Sequence, residues 1–222
     1  MIPLHDENPT ERFSFVTIVL VIVNSIVFLY ELSLGSSLEI TIRRYTLIPY
    51  NFINYFDFSQ LRTLFSSLFL HGSLLHLLGN MLYLWIFGNN IEDVLGHFKF
   101  ILFYFLCGIS ASLAHILTNP HSTIPTLGAS GAVSGVLGAY FILFPQARVV
   151  TIIPIFYFIR IVKIPAFFFL GFWIAVQFLS GIISSGMDSD LGGGVAWFAH
   201  LGGFFAGVLL LPLFYQRGRR RY

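Results

Sequence analysis

The chain has 222 residues, of which 56% are hydrophobic and 10% charged, with 26 phenylalanines and a formal net charge of +2. Ordinary soluble domains carry roughly 25% charged residues, and a water-soluble globule of this length cannot hide so much apolar surface. The aromatic content excludes a disordered chain, and the lone cysteine, Cys107, excludes an internal disulfide scaffold. The small net charge, with four of the twelve basic residues clustered between Arg217 and Arg221, argues against a nucleic-acid partner. An integral membrane protein remains.

A helix needs about 20 mostly apolar residues to cross the hydrocarbon. Six stretches qualify in chain order: Phe13–Leu32, Leu74–Gly88, Phe98–Thr118, Ser130–Pro145, Ala166–Ser185 and Val195–Tyr215. The second and fourth are short and must lean on neighbouring residues. The first is read as a span and not as a cleaved signal peptide, because its apolar run is long and acidic residues precede it. These spans predict an all-α polytopic membrane protein, a six-helix bundle forming a single domain over residues 1–222 with short tails at about 1–12 and 216–222.

Basic residues set the expected orientation. With six spans, one side carries Arg12, Lys99, Arg148, Arg160, Lys163, Arg217, Arg219, Arg220 and Arg221, and the other carries Arg43, Arg44 and Arg62. That asymmetry places both termini in the cytoplasm, and the loop holding Asp188 and Asp190, which lacks basic residues, faces outward in agreement. The first loop, about Ser33 to Ser73, is long and holds Tyr45, Tyr50, Phe52, Tyr55, Phe56 and Phe58. Such a loop either lies in the outer membrane interface or packs on the bundle.

Polar groups within a bilayer are costly and usually face the bundle interior. The second span opens HGSLLHLLGN, giving His71, His76 and Asn80; the fourth opens GASGAVSG, giving Ser130 and Ser134; the sixth opens VAWFAHLGG, giving His200; His115 lies in the third. The second, fourth and sixth spans all begin on the outer side. At about 1.5 Å per residue, Asn80 and His200 sit roughly 7–9 Å below the start of their helices, and Ser130 is at the mouth of its own. His76 and Asn80, four apart, share one helix face. Ser130, Ser134 and Gly138 recur every four residues, as do Ala199, Gly203 and Gly207. Such small-residue stripes let helix backbones approach closely. They are most often packing alone, and a solitary histidine in a span is most often a buried hydrogen-bonding residue. A hydroxyl and an imidazole brought together along these stripes form a nucleophile and a base.

In order and spacing, His71-x4-His76-x3-Asn80, Gly128-Ala129-Ser130-Gly131 and Ala199-His200-x-x-Gly203 resemble the rhomboid intramembrane serine proteases of the six-span bacterial type. Weaker matches are GNNIEDVLG with Glu92 and the Pro154 to Pro165-Ala166 stretch leading to Trp173. The resemblance implies an intramembrane serine endopeptidase with Ser130 as nucleophile and His200 as general base, a dyad without an aspartate. His76, Asn80 and the Ser130 backbone N–H would stabilise the oxyanion, and His71 would support the outer loop. Helix N-termini offer free N–H groups at Ser130, and no Asp or Glu lies within spans two to six to orient His200.

The chain departs from the family pattern in two places. Ser134 stands where relatives often carry an aromatic residue beneath the histidine, and it offers a second candidate serine one turn deeper. Leu61-Arg62-Thr63 matches the first-loop Trp-Arg pair imperfectly. The resemblance further implies single-span or membrane-anchored protein substrates with a weak helix near the outer leaflet, entry between spans two and five past Trp173, and a bacterial or archaeal plasma membrane. No cofactor and no metal are expected, since no cysteine or carboxylate completes a histidine set. The rival is a non-proteolytic protein that binds transmembrane helices or transports solutes. The chain shows neither the internal repeat nor the midplane carboxylate typical of transporters.

Overall fold

In the computed structural model, which describes residues 1–155, 158–185 and 196–215, the expected spans are helices. Strand β1 (Ile2–Asp6) leads into α1 (Phe15–Ser33), and three short helices, α2 (Leu38–Tyr45), α3 (Pro49–Asn54) and α4 (Phe58–Ser66), occupy the first loop. The second span is α5 (Leu74–Tyr83), a π-helical segment over Leu84–Gly88 and α6 (Asn89–Leu95) in unbroken succession. Then come α7 (His97–Thr118), α8 (Ser130–Leu143), strands β2 (Arg148–Ile155) and β3 (Phe158–Pro165), α9 (Ala166–Ser185) and α10 (Trp197–Phe214). Among the described residues, four helices are long and apolar enough to cross a bilayer, namely α1, α7, α9 and α10. The second span, short by sequence, continues past Gly88 to Leu95. The loop with Asp188 and Asp190 and the cluster Arg217–Arg221, on which part of the expected orientation rested, lie outside the described residues.

The sheet is an addition to the helical expectation. Its order is β1-β2-β3, all antiparallel, with Ile2 opposite Ile152 and Arg148 opposite Pro165. The runs RVVTIIPI and FIRIVKIP are rich in β-branched residues, which suit a pleated surface. Pro154 lies beyond the last β1–β2 pair and so removes no ladder donor facing β1. The N-terminal tail and the loop between α8 and α9 are thereby tied together, and Lys163 reinforces the tie with an ion pair to Glu7. That contact lowers the Glu7 carboxyl below its usual range.

Below the sheet, polar side chains knit the ends of several helices. The Glu92 carboxylate accepts from the Val16 and Thr17 N–H groups at 2.8 and 2.7 Å and from the Thr17 hydroxyl at 2.7 Å. Val16 and Thr17 sit in the first turn of α1, where N–H groups lack helical acceptors and the dipole favours a negative charge. His97 Nδ1 lies 2.5 Å from the same carboxylate. Asp93 accepts from the Glu11 and Arg12 N–H groups at 3.1 Å each. From β1, Asp6 accepts from the Tyr140 hydroxyl at 2.5 Å and from Asn90 at 2.9 Å, and Asn8 donates to Asn90 at 2.6 Å.

Helices α7, α8 and α10 form the centre, with Phe100, Phe103, Tyr104, Val136, Leu137 and Phe204 in the core. The glycine stripes are the reason they fit. A Cβ on Gly203 would lie 2.1 Å from the Gly131 carbonyl oxygen, one on Gly207 2.0 Å from the Gly135 oxygen, and one on Gly138 2.1 Å from the Phe204 oxygen. The α8–α10 seam is therefore backbone on backbone, as the spacing predicted. On the other side of α8, Gly135 meets the Cys107 side chain and Gly131 the Ala111 methyl, which seats α7.

The two expectations for the first loop each describe part of it. Leu47, Leu64 and Ile116 form a small second core with Phe52 against it, so the loop packs on the bundle. Tyr55, Phe56 and Phe58 remain exposed along its outer edge, where such rings suit a membrane interface.

Candidate active site

The site assembles at the end of the bundle opposite the sheet. Ser73 starts α5 as its N-cap, accepting from the His76 N–H at 3.2 Å. One turn on, Asn80 projects from the same face. Gly128 precedes α8 with φ +119°, a conformation that L side chains rarely adopt, and its N–H donates to the Ser67 carbonyl at 2.8 Å. A Cβ there would lie 2.7 Å from the His76 ring and 3.4 Å from Asn80 Nδ2. Only glycine leaves open the small space between these donors and the start of α8.

Ser130 is the first residue of α8. The first helical bond runs from the Val133 N–H to the Ala129 carbonyl at 2.9 Å, so the N–H groups of Ser130, Gly131 and Ala132 lie ahead of the ladder. Ser130 Oγ is 2.8 Å from His200 Nε2 on α10. Ser134, the second candidate serine, donates its hydroxyl to the Ser130 carbonyl at 2.6 Å and is buried. That back-bond is the usual fate of a serine inside an apolar helix.

His200 is enclosed by aromatic rings, with the Trp173 and Trp197 centroids at 6.0 and 6.2 Å from its own. These tryptophans occupy the flanks of an imidazole that has a serine, Ser134, one turn below the nucleophile candidate. The other ring nitrogen, Nδ1, faces Gln177 Oε1 on α9 at 2.7 Å. Sequence reasoning sought a carboxylate for this place and missed the neutral amide. The signal was present, because Gln177 is the one amide in an otherwise apolar span and such residues face inward.

His76, Asn80, Gly128, Ser130 and His200 share a cavity of about 560 Å³ beneath the loops at Gly72–Ser73 and Pro125–Gly128. A second cavity of about 290 Å³ reaches from the same side chains between α5 and α9, walled by Tyr83, Val133, Trp173 and Gln177. Asn80 Nδ2 is buried with no hydrogen-bond partner, so a donor stands ready where the cavity is open. His71 lies behind His76, ring centroids 5.2 Å apart, and its N–H donates to the Glu31 carboxylate at 3.1 and 3.2 Å. His115 takes no part in the pair; its ring contacts Asn119 at the far end of α7. No group of three or more metal-ligating side chains occurs among the described residues.

A polytopic helical membrane protein that encloses a serine–histidine pair and a free amide donor at one end of its bundle is the class defined by this fold and site. The Rhomboid domain model matches residues 59–217, and the chain belongs to the rhomboid family. It is similar to Rhomboid protein 1, mitochondrial, of Saccharomyces cerevisiae, 34% identical over 66% of this chain and 40% of that protein. Rhomboid protease GluP of Bacillus subtilis is 34% identical over 71% of this chain and 28% of its own length. Presenilin-associated rhomboid-like protein, mitochondrial, of Mus musculus is 35% identical over 41% of the chain and 25% of that protein. The chain thus spans from a quarter to two fifths of these relatives. They include mitochondrial proteins beside a bacterial one, so they support a membrane location and do not favour the bacterial or archaeal plasma membrane expected from sequence.

Proposed function

We propose that the chain is an intramembrane serine endopeptidase, acting as one membrane domain on single-span or membrane-anchored proteins. The observation that carries this is the 2.8 Å approach of Ser130 Oγ to His200 Nε2, made at the mouth of α8 beside an unpartnered amide donor. Ser130 acts as the nucleophile. His200 takes its proton as Oγ attacks the scissile carbonyl, and later returns it to the leaving amine. The developing oxyanion is held by Asn80, His76 and the Ser130 N–H. Water reaches the acyl-enzyme through the 560 Å³ cavity, with His200 again as base. His71 supports the wall behind His76.

A helix hides its carbonyls in i to i+4 bonds, so the substrate must be unwound near the site. The 290 Å³ cavity between α5 and α9 is the space such a segment would fill. The nine-to-three bias of basic residues supports cytoplasmic termini and a site in the outer leaflet.

Reaction of the membrane-reconstituted chain with a fluorophosphonate, followed by peptide mapping, tests the assignment. Modification at Ser130, with Ser130→Ala folded but unable to cleave a model transmembrane substrate, is the expected result. Retained cleavage by Ser130→Ala, or modification at Ser134, overturns it. A folded chain that neither reacts nor cleaves supports the helix-binding alternative.

A further inference from the structure

His200 engages both ring nitrogens across helices, Nε2 with Ser130 on α8 and Nδ1 with Gln177 on α9. Gln177 is 6% exposed and sits on α9, one turn beyond Trp173, and its Oε1 is 2.7 Å from His200 Nδ1. An amide oxygen can only accept. With Oε1 toward the ring, a contact of that length places the proton on Nδ1. Nε2 is then a bare lone pair, and the Ser130 hydroxyl donates to it. The opposite tautomer would place a proton on Nε2, facing a hydroxyl that must lose its own. We propose that Gln177 is the positioning residue that fixes the His200 tautomer and ring orientation for the reaction, in the place where soluble serine proteases use a carboxylate.

The arrangement has a mechanical consequence. Ser130 and His200 ride on α8 and α10, which the glycine seam locks backbone to backbone. Gln177 rides on α9, whose Phe167, Phe168, Phe172, Phe178, Leu179 and Ile182 face outward and which lacks any comparable seam among the described glycines. The base is correctly oriented only while α9 is seated. Gln177 also walls the cavity between α5 and α9, so a segment entering there meets the residue that orients the base. A neutral acceptor suits this setting, because a carboxylate at 6% exposure would carry a heavy desolvation cost in a lipid-facing helix.

The inference rests on the reading of Ser130 and His200 as the catalytic pair, and its test is separable from that reading. In full-length protein labelled with 15N-histidine and reconstituted in liposomes, His200 is assigned by its absence in His200→Gln. The expected spectrum has a protonated Nδ1 and an unprotonated Nε2 at neutral pH. A protonated Nε2 overturns the inference even if fluorophosphonate labels Ser130. In the kinetic arm, Gln177→Met, similar in length but without a strong acceptor, lowers kcat about 10-fold to 100-fold with KM within twofold, as loss of a supporting hydrogen bond does elsewhere. Gln177→Glu, which still accepts from Nδ1–H, retains more of kcat than Gln177→Met while its desolvation cost lowers the unfolding temperature. Wild-type kcat in Gln177→Met, or equal losses in both variants that track a lowered unfolding temperature, marks Gln177 as a packing residue and overturns the inference. If Gln177→Met does not fold, the tautomer of the unaltered chain decides alone.

Discussion

At the sheet end of the bundle, Glu92 satisfies three donors of α1 at once, and Asp6, Asn8, Asn90 and Tyr140 close a network of their own. At the other end, Asn80 Nδ2 is buried without a partner, and Asn80 lines a cavity of about 560 Å³. Both ends bury polar groups in an apolar bundle. One spends them on each other and gains rigidity; the other leaves the Asn80 donor idle, at roughly 1–3 kcal/mol for an unsatisfied group. Such a cost is tolerated where a ligand supplies the missing acceptor. Asn24 Oδ1 and the Tyr104 hydroxyl are unpartnered too but line neither cavity, so it is the idle donor and the cavity together that support the proposed site.

The sharpest way to break this contrast is Glu92→Ala. It strands the Val16 and Thr17 N–H groups and the Thr17 hydroxyl, which removal of a buried charge partner predicts to cost about 3–5 kcal/mol. Thermal unfolding in detergent should show a large fall in midpoint, while Ser130 of the surviving folded fraction still reacts with a fluorophosphonate. An unchanged midpoint would show that the sheet end is not where stability resides. Gly203→Ala strikes the seam that joins the ends. Its Cβ would meet the Gly131 carbonyl oxygen at 2.1 Å, so α8 and α10 must part. Overpacking of this kind costs about 1–3 kcal/mol, and a displacement near 1 Å between reacting groups costs about 100-fold in kcat. Both losses should appear together, and a variant with normal turnover would mean the pair does not depend on the seam.

Asn80→Ala probes the reactive end alone. Removing one oxyanion donor of several should lower kcat by about 100-fold, less than Ser130→Ala. Because Asn80 Nδ2 has no partner in the resting protein, the unfolding midpoint should hold or rise. A drop in midpoint matching that of Glu92→Ala would erase the distinction between the two ends.

The parts of the molecule legible in sequence are those with a period or a spacing. Apolar runs gave the spans to within a few residues except the end of the second, which continues past Gly88 to Leu95, and the every-fourth-residue glycines and serines pointed to the α8–α10 contact because backbone approach has no other economical sequence. Ser130, His200, His76 and Asn80 were legible because polar residues at matched depth in a bilayer are rare. The rest depended on partners far apart in the chain. β1 forms only by pairing with β2 some 145 residues later, and Ile2 opposite Ile152 leaves no local trace. Glu92 stood beyond the expected end of the second span, in a weak family match, whereas its carboxylate takes the free N–H groups of the first turn of α1. Gln177 carries no charge to mark it in the sequence, and in the proposed role a neutral acceptor replaces a carboxylate at lower desolvation cost.

The smallest of the expected effects concerns how far the sheet end reaches toward the reactive one. Tyr140 and Ser130 belong to the same helix, and the Tyr140 hydroxyl donates to Asp6 at 2.5 Å from within a site that raises the Asp6 carboxyl above its usual range by desolvation. Tyr140→Phe keeps the ring, which packs edge-on to Phe87 at 4.9 Å, and deletes only that bond. The loss should be about 1 kcal/mol, visible as a small fall in unfolding midpoint with kcat unchanged. Asp6 then keeps Asn90 as its donor, so β1 stays in register. If kcat fell as well, the tie between β1 and α8 would be setting the height of Ser130 against His200, and the two ends would have to be treated as one coupled unit.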